Sequence, residues 1–295
     1  MDNNILKMLL TKFVLHAKKS IPTKYYLSIR YKLAFGKSIN WNNPKGFNEK
    51  LNWMKLNYRN PLFTMMADKY WAKSYVKRLI GAEYVVPCYG CWRSLDDIDF
   101  DKLPDRIYLK TNHDSGEGIL VDKRKGIDRK ILRHRFNHNT LAERTYYWKS
   151  REWSYKHIEP LILAEEYLDE GTGHELHDYK FFVFNGKPAY MYVTNKGETI
   201  RENFYDMDFH PVDINHGYER AVPEYDIPDN FEKMKELATL LSQDLPFIRI
   251  DFFNVNGHLY FSEFTLYDWG GMKPFHGDWE RKLGDLIRLP RNDAE

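Results

Sequence analysis

Two carboxylates sit where a carboxylate is costly. Asp251 lies in FIRIDFF, residues 247 to 253, and Glu263 lies in LYFSEFTLY, residues 259 to 267. Both runs are otherwise apolar and aromatic, and Asn256-Gly257 between them is a strong hairpin signal. A charged group in a half-buried strand must be paired, hydrogen-bonded or coordinated. Two readings are open on these residues alone. One is a divalent cation held between Asp251 and Glu263. The other is an ion-pair ladder through Arg249, since structural pairs also occupy sheets. Register decides whether the carboxylates can meet. A two-residue loop would put them on opposite faces. A three-residue loop, Val255-Asn256-Gly257 with Gly257 left-handed, shifts the pairing by one. Arg249, Asp251, Glu263 and Thr265 then share one face, and Ile248, Ile250, Phe252 and Phe264 the other. The three-residue loop is the expectation, because it sorts polar from apolar side chains.

The second informative stretch is IYLKTNHDSGEGILV, residues 107 to 121. A short apolar strand carries Lys110, a loop carries Ser115, Gly116 and Gly118, and a second strand begins at Ile119. The glycines do not open a helix, which excludes a Walker loop and a Rossmann turn. A glycine-bearing flap between strands can still fold over phosphates, with Lys110 taking their charge. A plain turn is the simpler reading of this stretch by itself. His113 beside the flap is an acid/base candidate or an incidental loop histidine. Lys69 and Lys73 are four apart in DKYWAKSYVKR and share a helix face, which could be merely solvated. Cys88 and Cys91 supply two of the four ligands a structural zinc needs. They read as ordinary reduced thiols of a cytoplasmic protein.

The elements that must position these residues follow from periodicity. Residues 1–35 read as one or two helices, Phe47 to Leu56 as a helix with Phe47, Leu51, Met54 and Leu56 apolar, and Asp68 to Arg78 as another. Glu83 to Tyr89 reads as a short strand broken at Pro87 and Gly90. Ile127 to Tyr155 reads as helical. Leu161 to Leu168, His174 to Val183 and Pro188 to Val193 read as strands, with Asn185-Gly186 a tight turn. Residues 194 to 225 read as irregular, Phe231 to Leu241 as an amphipathic helix, and the C-terminal segment as a short helix. The chain has 295 residues and a net charge of +2. That balance hides +10 over the first 60 residues and −8 over the rest. A basic start can hold an acidic polymer or an anionic membrane face, or simply stay solvated. No run is long and apolar enough to span a membrane, no secretory signal is evident, and no nucleic-acid module is matched.

Taken together and in order, NPKGFNEKLNWMKL, ADKYWAK, YLKTNHDSGEGI, LILAEEYL, DYKFFVFNGKP and RIDFF…YFSEFTLYDWGG resemble the ATP-grasp superfamily. More closely, they resemble the TupA-like ATP-grasp proteins of bacterial capsule, exopolysaccharide and teichuronopeptide gene clusters. The resemblance runs from about Asn43 to the C-terminus. It implies an α+β ATP-grasp fold, with two α+β subdomains clasping ATP between antiparallel sheets and a helical basic N-terminal region. The expected division is 1–85 helical region, 86–160 small subdomain with flap, and 161–295 large subdomain with metal site. Lys73 and Lys110 match basic residues that touch nucleotide phosphates, and Ser115, Gly116 and Gly118 match the flap. Glu165, Glu166, Tyr167 and Leu168 match the hinge whose backbone binds adenine, with an acidic side chain near the ribose. Lys180 matches a basic residue of the nucleotide cleft and Arg249 the arginine that steadies the transferring group. Asp251 and Glu263 match the carboxylates that hold magnesium. Thr265 stands where most such ligases carry Asn, which leaves one or two Mg2+ ions open.

The implied activity is an ATP- and Mg-dependent carboxylate–amine ligase working through an acyl-phosphate. Its substrates would be an acidic sugar, such as a uronic acid of a surface polysaccharide or its precursor, and an amine or amino acid. A cytoplasmic enzyme is expected, with peripheral contact to the inner membrane or to glycan assembly enzymes, and with no nucleic acid. Competing readings are a sugar kinase using the same site, a glycosyltransferase, and a non-enzymatic polysaccharide-binding scaffold. The glycosyltransferase lacks a DxD at a strand end, since Asp206-Met207-Asp208 falls in a polar loop.

Overall fold

A computed structural model describes residues 11–12, 14–114, 118–136, 145–171, 176–195 and 200–290. Two antiparallel sheets carry the architecture. The small sheet has strand order β1-β4-β2-β3, from Cys88–Trp92 (β1), Ile162–Glu166 (β4), Arg106–Thr111 (β2) and Ile119–Asp122 (β3). The large sheet has order β10-β9-β5-β6-β7-β8. Its strands are His258–Thr265 (β10), Ile248–Val255 (β9), Asp178–Phe184 (β5), Lys187–Thr194 (β6), Glu202–Tyr205 (β7) and Pro211–Val212 (β8).

Each sheet has its own core. Ile107, Leu109, Val121, Ile162 and Ala164 of the small sheet pack on Phe100, Leu132 and Phe136. Strand alternation then turns Tyr108, Lys110, Leu163 and Glu165 to the opposite face. The larger core joins the large sheet to the helices Phe47–Asn57 (α2), Leu62–Ala67 (α3), Lys69–Ile80 (α4) and Phe231–Ser242 (α7). In α2 the spacing of Phe47, Leu51 and Met54 buries one stripe completely. In α7, Phe231, Met234, Leu237 and Leu241 do the same. Four further helices stand among the described residues: Thr23–Phe35 (α1), Arg129–Arg135 (α5), Thr145–Ser150 (α6) and Trp279–Leu286 (α8).

The subdomain boundaries move. Because α2 to α4 supply Phe47, Leu51, Phe63 and Val76 to the large core, the part of the expected 1–85 region from Phe47 on packs with the large sheet, while Val14, Tyr26 and Leu27 form a small cluster of their own. Strand β4 pairs with β1 and β2, so the small unit runs past residue 160 to Glu166, and the large sheet begins at Asp178. The strand expected over Glu83 to Tyr89 starts instead at Cys88 and runs through Gly90, with a bulge between them. Pro87 has no N–H to donate, but its carbonyl accepts from Glu166 N at 2.9 Å and guides the chain into β1. The stretch read as irregular after Thr194 contains β7 and β8. All four residues of β7, Glu-Asn-Phe-Tyr, are buried, so polar types hid the strand. The helical reading of 127–155 is confined to α5, α6 and a 3-10 turn at Trp153–Tyr155, with 137–144 outside the described residues.

The hairpin loop is corrected too. His258 pairs with Val255, so the turn is the two-residue Asn256-Gly257, with φ of 51° and 81°. Two left-handed residues give the turn whose twist fits a hairpin. The register shift that the side chains demand occurs further on. Phe261 faces Phe252 and Glu263 faces Asp251, leaving Ser262 as a bulge. The shared face is thereby kept, with Thr265 opposite Arg249.

Candidate active site

Three basic side chains, Lys69, Lys73 and Lys110, form one pole of the site. Asp68 caps α4 by accepting from Tyr70 N at 2.9 Å and Trp71 N at 3.3 Å. Its other oxygen accepts from Asn112 Nδ2 at 3.1 Å. Asn112, fully buried at the end of β2, also donates to Glu159 O and accepts from Leu161 N at 2.8 Å. That one side chain fixes the start of α4 against β2 and β4. Lys69 and Lys73 then point inward, and the solvated-face reading fails. Lys73 and Lys110 close on Glu165 at 2.8 and 2.7 Å. Lys69 donates to Asp114 O. Burial pulls Lys69 and Lys73 below the ordinary lysine range, whereas for Lys110 the Glu165 carboxylate outweighs burial and holds it above. Burial also opposes the charge on Glu165, but Lys110 and Lys73 keep it ionised.

The large sheet supplies the other pole. Lys180 lies opposite Asp251 and bridges Asp178 at 2.5 Å and Asp251 at 2.9 Å. Arg249 grips Asp251 and reaches Asp268 at 2.6 Å, Glu263 at 3.1 Å and Tyr192 Oη at 3.0 Å. Behind it, His216 spans Asp268 at 3.0 Å and Glu202 at 3.1 Å, with all three groups buried. Burial raises the Asp251 carboxyl and Arg249 and Lys180 pull against it; the guanidinium stays charged, far above any working pH. At Glu263, burial is overcome by Lys69, Arg249, Lys180 and Lys110, which hold the carboxyl at about 2.

Glu263 therefore feels both poles, and its side chain is 32 % exposed where Asp251 is fully enclosed. Five carboxylates (Asp178, Glu202, Asp251, Glu263 and Asp268) face three cations (Lys180, Arg249 and His216). The buried Asp178 Oδ1 has no hydrogen-bond partner. Lys69 and Lys110 also act on Glu263, so the two poles together carry no net excess of negative charge; the clustered carboxylate oxygens are still the hard donors that a divalent cation such as magnesium takes. Thr265 donates to Glu263 Oε1 at 3.5 Å, which leaves its own oxygen lone pairs unspent.

The remaining expected residues are placed as follows. Ser115 and Gly116 lie outside the described residues. Gly118 accepts no substitute easily, since a Cβ there would lie 2.4 Å from Leu109 O. Glu165 spends its carboxylate on the two lysines, Glu166 N bonds Pro87 O, and Tyr167 stacks under Arg106 at 4.4 Å. Leu168 follows the strand, half-buried. His113 is buried with Nδ1 3.1 Å from Asn112 Oδ1. Cys88 and Cys91 are free thiols in β1. Asp206 and Asp208 sit with His210 in a turn at the β7–β8 edge, with ligand atoms within 4.8 Å of one another.

Sequence reading missed Asp268, His216, Glu202 and Asn112. The sequence marks Lys69 only by its four-residue spacing from Lys73, with no role given to it. The others are single polar residues in aromatic or irregular surroundings, and only the fold assembles them.

The sequence profile of the TupA-like ATPgrasp family matches residues 49–288, and the chain belongs to that family. No curated protein matches the sequence. Among solved structures it is similar to the D-alanine–D-alanine ligase of Bacillus anthracis in complex with ATP. That match has 14% identity and a TM-score of 0.42, covering 76% of this chain and 65% of the other. It is also similar to the ATP-grasp ligase PsnB with minimal precursor, Mg and ADP (11% identity, TM-score 0.39, 86% and 66% covered). A third is the N5-carboxyaminoimidazole ribonucleotide synthetase of Thermotoga maritima (12%, 0.40, 78% and 51%). The chain thus spans about two thirds or less of these proteins' lengths. No helix among the described residues is long and apolar enough to cross a membrane.

Proposed function

We propose that the protein is an ATP-dependent carboxylate–amine ligase acting on an acidic sugar. The observation that carries this reading is the meeting of two charge poles at Glu263. A cluster of lysines, Lys69, Lys73 and Lys110, suits the phosphates of ATP, and the carboxylates around Asp251 suit the accompanying cation. Glu263 and Asp251, with Thr265 beside them, would hold magnesium, which would supply neutralisation of phosphate charge when bound. A carboxylate oxygen of the sugar attacks the γ-phosphorus and ADP leaves. The amine then attacks the acyl carbon, the acyl–oxygen bond breaks, phosphate leaves carrying the proton that the amine gives up, and an amide forms. Lys69, Lys73 and Lys110 offset the charge that builds on the leaving ADP, and Lys180 and Arg249 keep the carboxylates in register. The flap around Gly118 would exclude water, which an acyl-phosphate requires. Uronic acids of bacterial surface polysaccharides, a cytoplasmic location and peripheral contact with the membrane or glycan assembly enzymes rest on the family's gene-cluster context.

The test is ATP turnover with acidic sugars and amines in combination. ADP and free phosphate should form only when both are present, with an amide in the product. Turnover with an amine but no carboxylate overturns the ligase. Phosphate retained stably on the sugar favours a kinase instead.

A further inference from the structure

Next to the carboxylate pole lies a feature that the reaction as derived does not use. The turn Asp268–Gly271 places Trp269, Gly270 and Gly271 in succession in the left-handed region, with φ of 47°, 59° and 61°. A bulky residue there is strained and persists only when its surroundings impose it. They do so here. Lys55 Nζ holds Gly270 O at 2.5 Å and Asn52 Nδ2 holds Gly271 O at 2.7 Å, both from the buried polar stripe of α2. The result is that Trp269 remains 45 % exposed, one residue after the Asp268 that bonds Arg249. Its ring lies 5.8 Å from that of Tyr218, and Lys273 Nζ sits 4.1 Å from the Tyr218 centroid and 4.3 Å from the Trp269 centroid. Lys273 forms no ion pair among the described residues.

We propose that Trp269, Tyr218 and Lys273 form the subsite for the sugar carboxylate, resting on the ligase reading above. Two rings offer a flat apolar surface to the C–H face of a pyranose. An ammonium lying on those rings feels Asp268 and Glu202 without bonding either, and so can pair with an incoming anion. The ligand that satisfies both is a hexuronic acid. A neutral hexose leaves the ammonium unpaired, and a small aliphatic acid leaves the rings bare.

Calorimetric titration with methyl glucuronide and methyl glucoside tests this on the full chain. The unaltered protein should bind the glucuronide at least tenfold more tightly than the glucoside. Lys273→Gln should erase that preference. Trp269→Gly should weaken both tenfold or more while keeping the fold, since glycine takes φ of 47° without strain. In the ligase assay both substitutions should raise KM for the acid far more than they lower kcat. No glucuronide binding by the unaltered protein, or binding within twofold in both variants, overturns the subsite. The two readings fail separately. Lys273-dependent glucuronide binding without ADP formation removes the ligase and leaves the subsite. ADP formation whose KM for the acid ignores both substitutions removes the subsite and leaves the ligase.

Discussion

Arg249 holds Asp251 through two parallel hydrogen bonds, Nε to Oδ1 at 2.8 Å and Nη2 to Oδ2 at 2.7 Å. The same guanidinium reaches Asp268 and Glu263, so it is the common counterion of three carboxylates. Removing it strands buried negative charge. Arg249→Ala should cost about 3–5 kcal/mol of unfolding free energy by urea titration. Arg249→Lys should recover only part, because one ammonium cannot bridge three carboxylates in a planar fork.

Glu165 performs the mirror-image task for Lys73 and Lys110. Glu165→Gln leaves two half-buried lysines without their shared anion, and should destabilise the protein by roughly 3 kcal/mol. ATP brings negative charge of its own. Its addition should therefore raise the melting temperature by more in the variant than in the unaltered protein. An equal or smaller rise would show that these lysines do not meet the nucleotide.

Glu263 differs from Asp251 in being partly exposed. Glu263→Gln should keep the fold and lower ATP turnover roughly 100-fold or more. Chelation of divalent ions should stop turnover in the unaltered protein, and added magnesium should restore it. Because Glu263 is held at about 2, its own ionisation should leave no trace in a rate profile taken above about pH 4.

His216 gives the fold a pH dependence of definite sign. Burial disfavours its charge, but Asp268 and Glu202 outweigh burial, so its folded pKa lies above the ordinary 6.5. A raised folded value means that the stabilisation is complete below 6.5 and is lost as pH rises through the folded value. Urea midpoints measured from about pH 6 to about 9 should fall with pH, and His216→Gln should flatten that slope. An unchanged slope in the variant would place the titration elsewhere.

Much of this was legible in the chain because local patterns and long-range needs agreed. Asn185-Gly186 and Asn256-Gly257 announce their turns, and the stripe Phe47, Leu51, Met54 announces α2. The polar/apolar sorting of β9 and β10 demanded a register shift, and one exists. Its location at Ser262 was not legible, since a bulge leaves no residue signature comparable to Asn-Gly. β7 was hidden because Glu202 and Asn203 look solvent-facing until His216 and Ala221 arrive to satisfy them. The same holds for Asn48, Asn52 and Lys55. Their polar types give no hint that they are bonded to Lys273 O, Gly271 O and Gly270 O.

The segment before β1 is stitched to both sheets. Phe261 N donates to Tyr84 O at 2.7 Å and Val85 bridges Phe261 in parallel, while Glu166 N donates to Pro87 O. Phe261 is also the residue at which the β10 bulge begins, two positions before Glu263. The strip is thus a mechanical linkage as well as a connection. The small sheet that carries Lys110 is thereby tied through backbone hydrogen bonds to the very strand that carries Glu263.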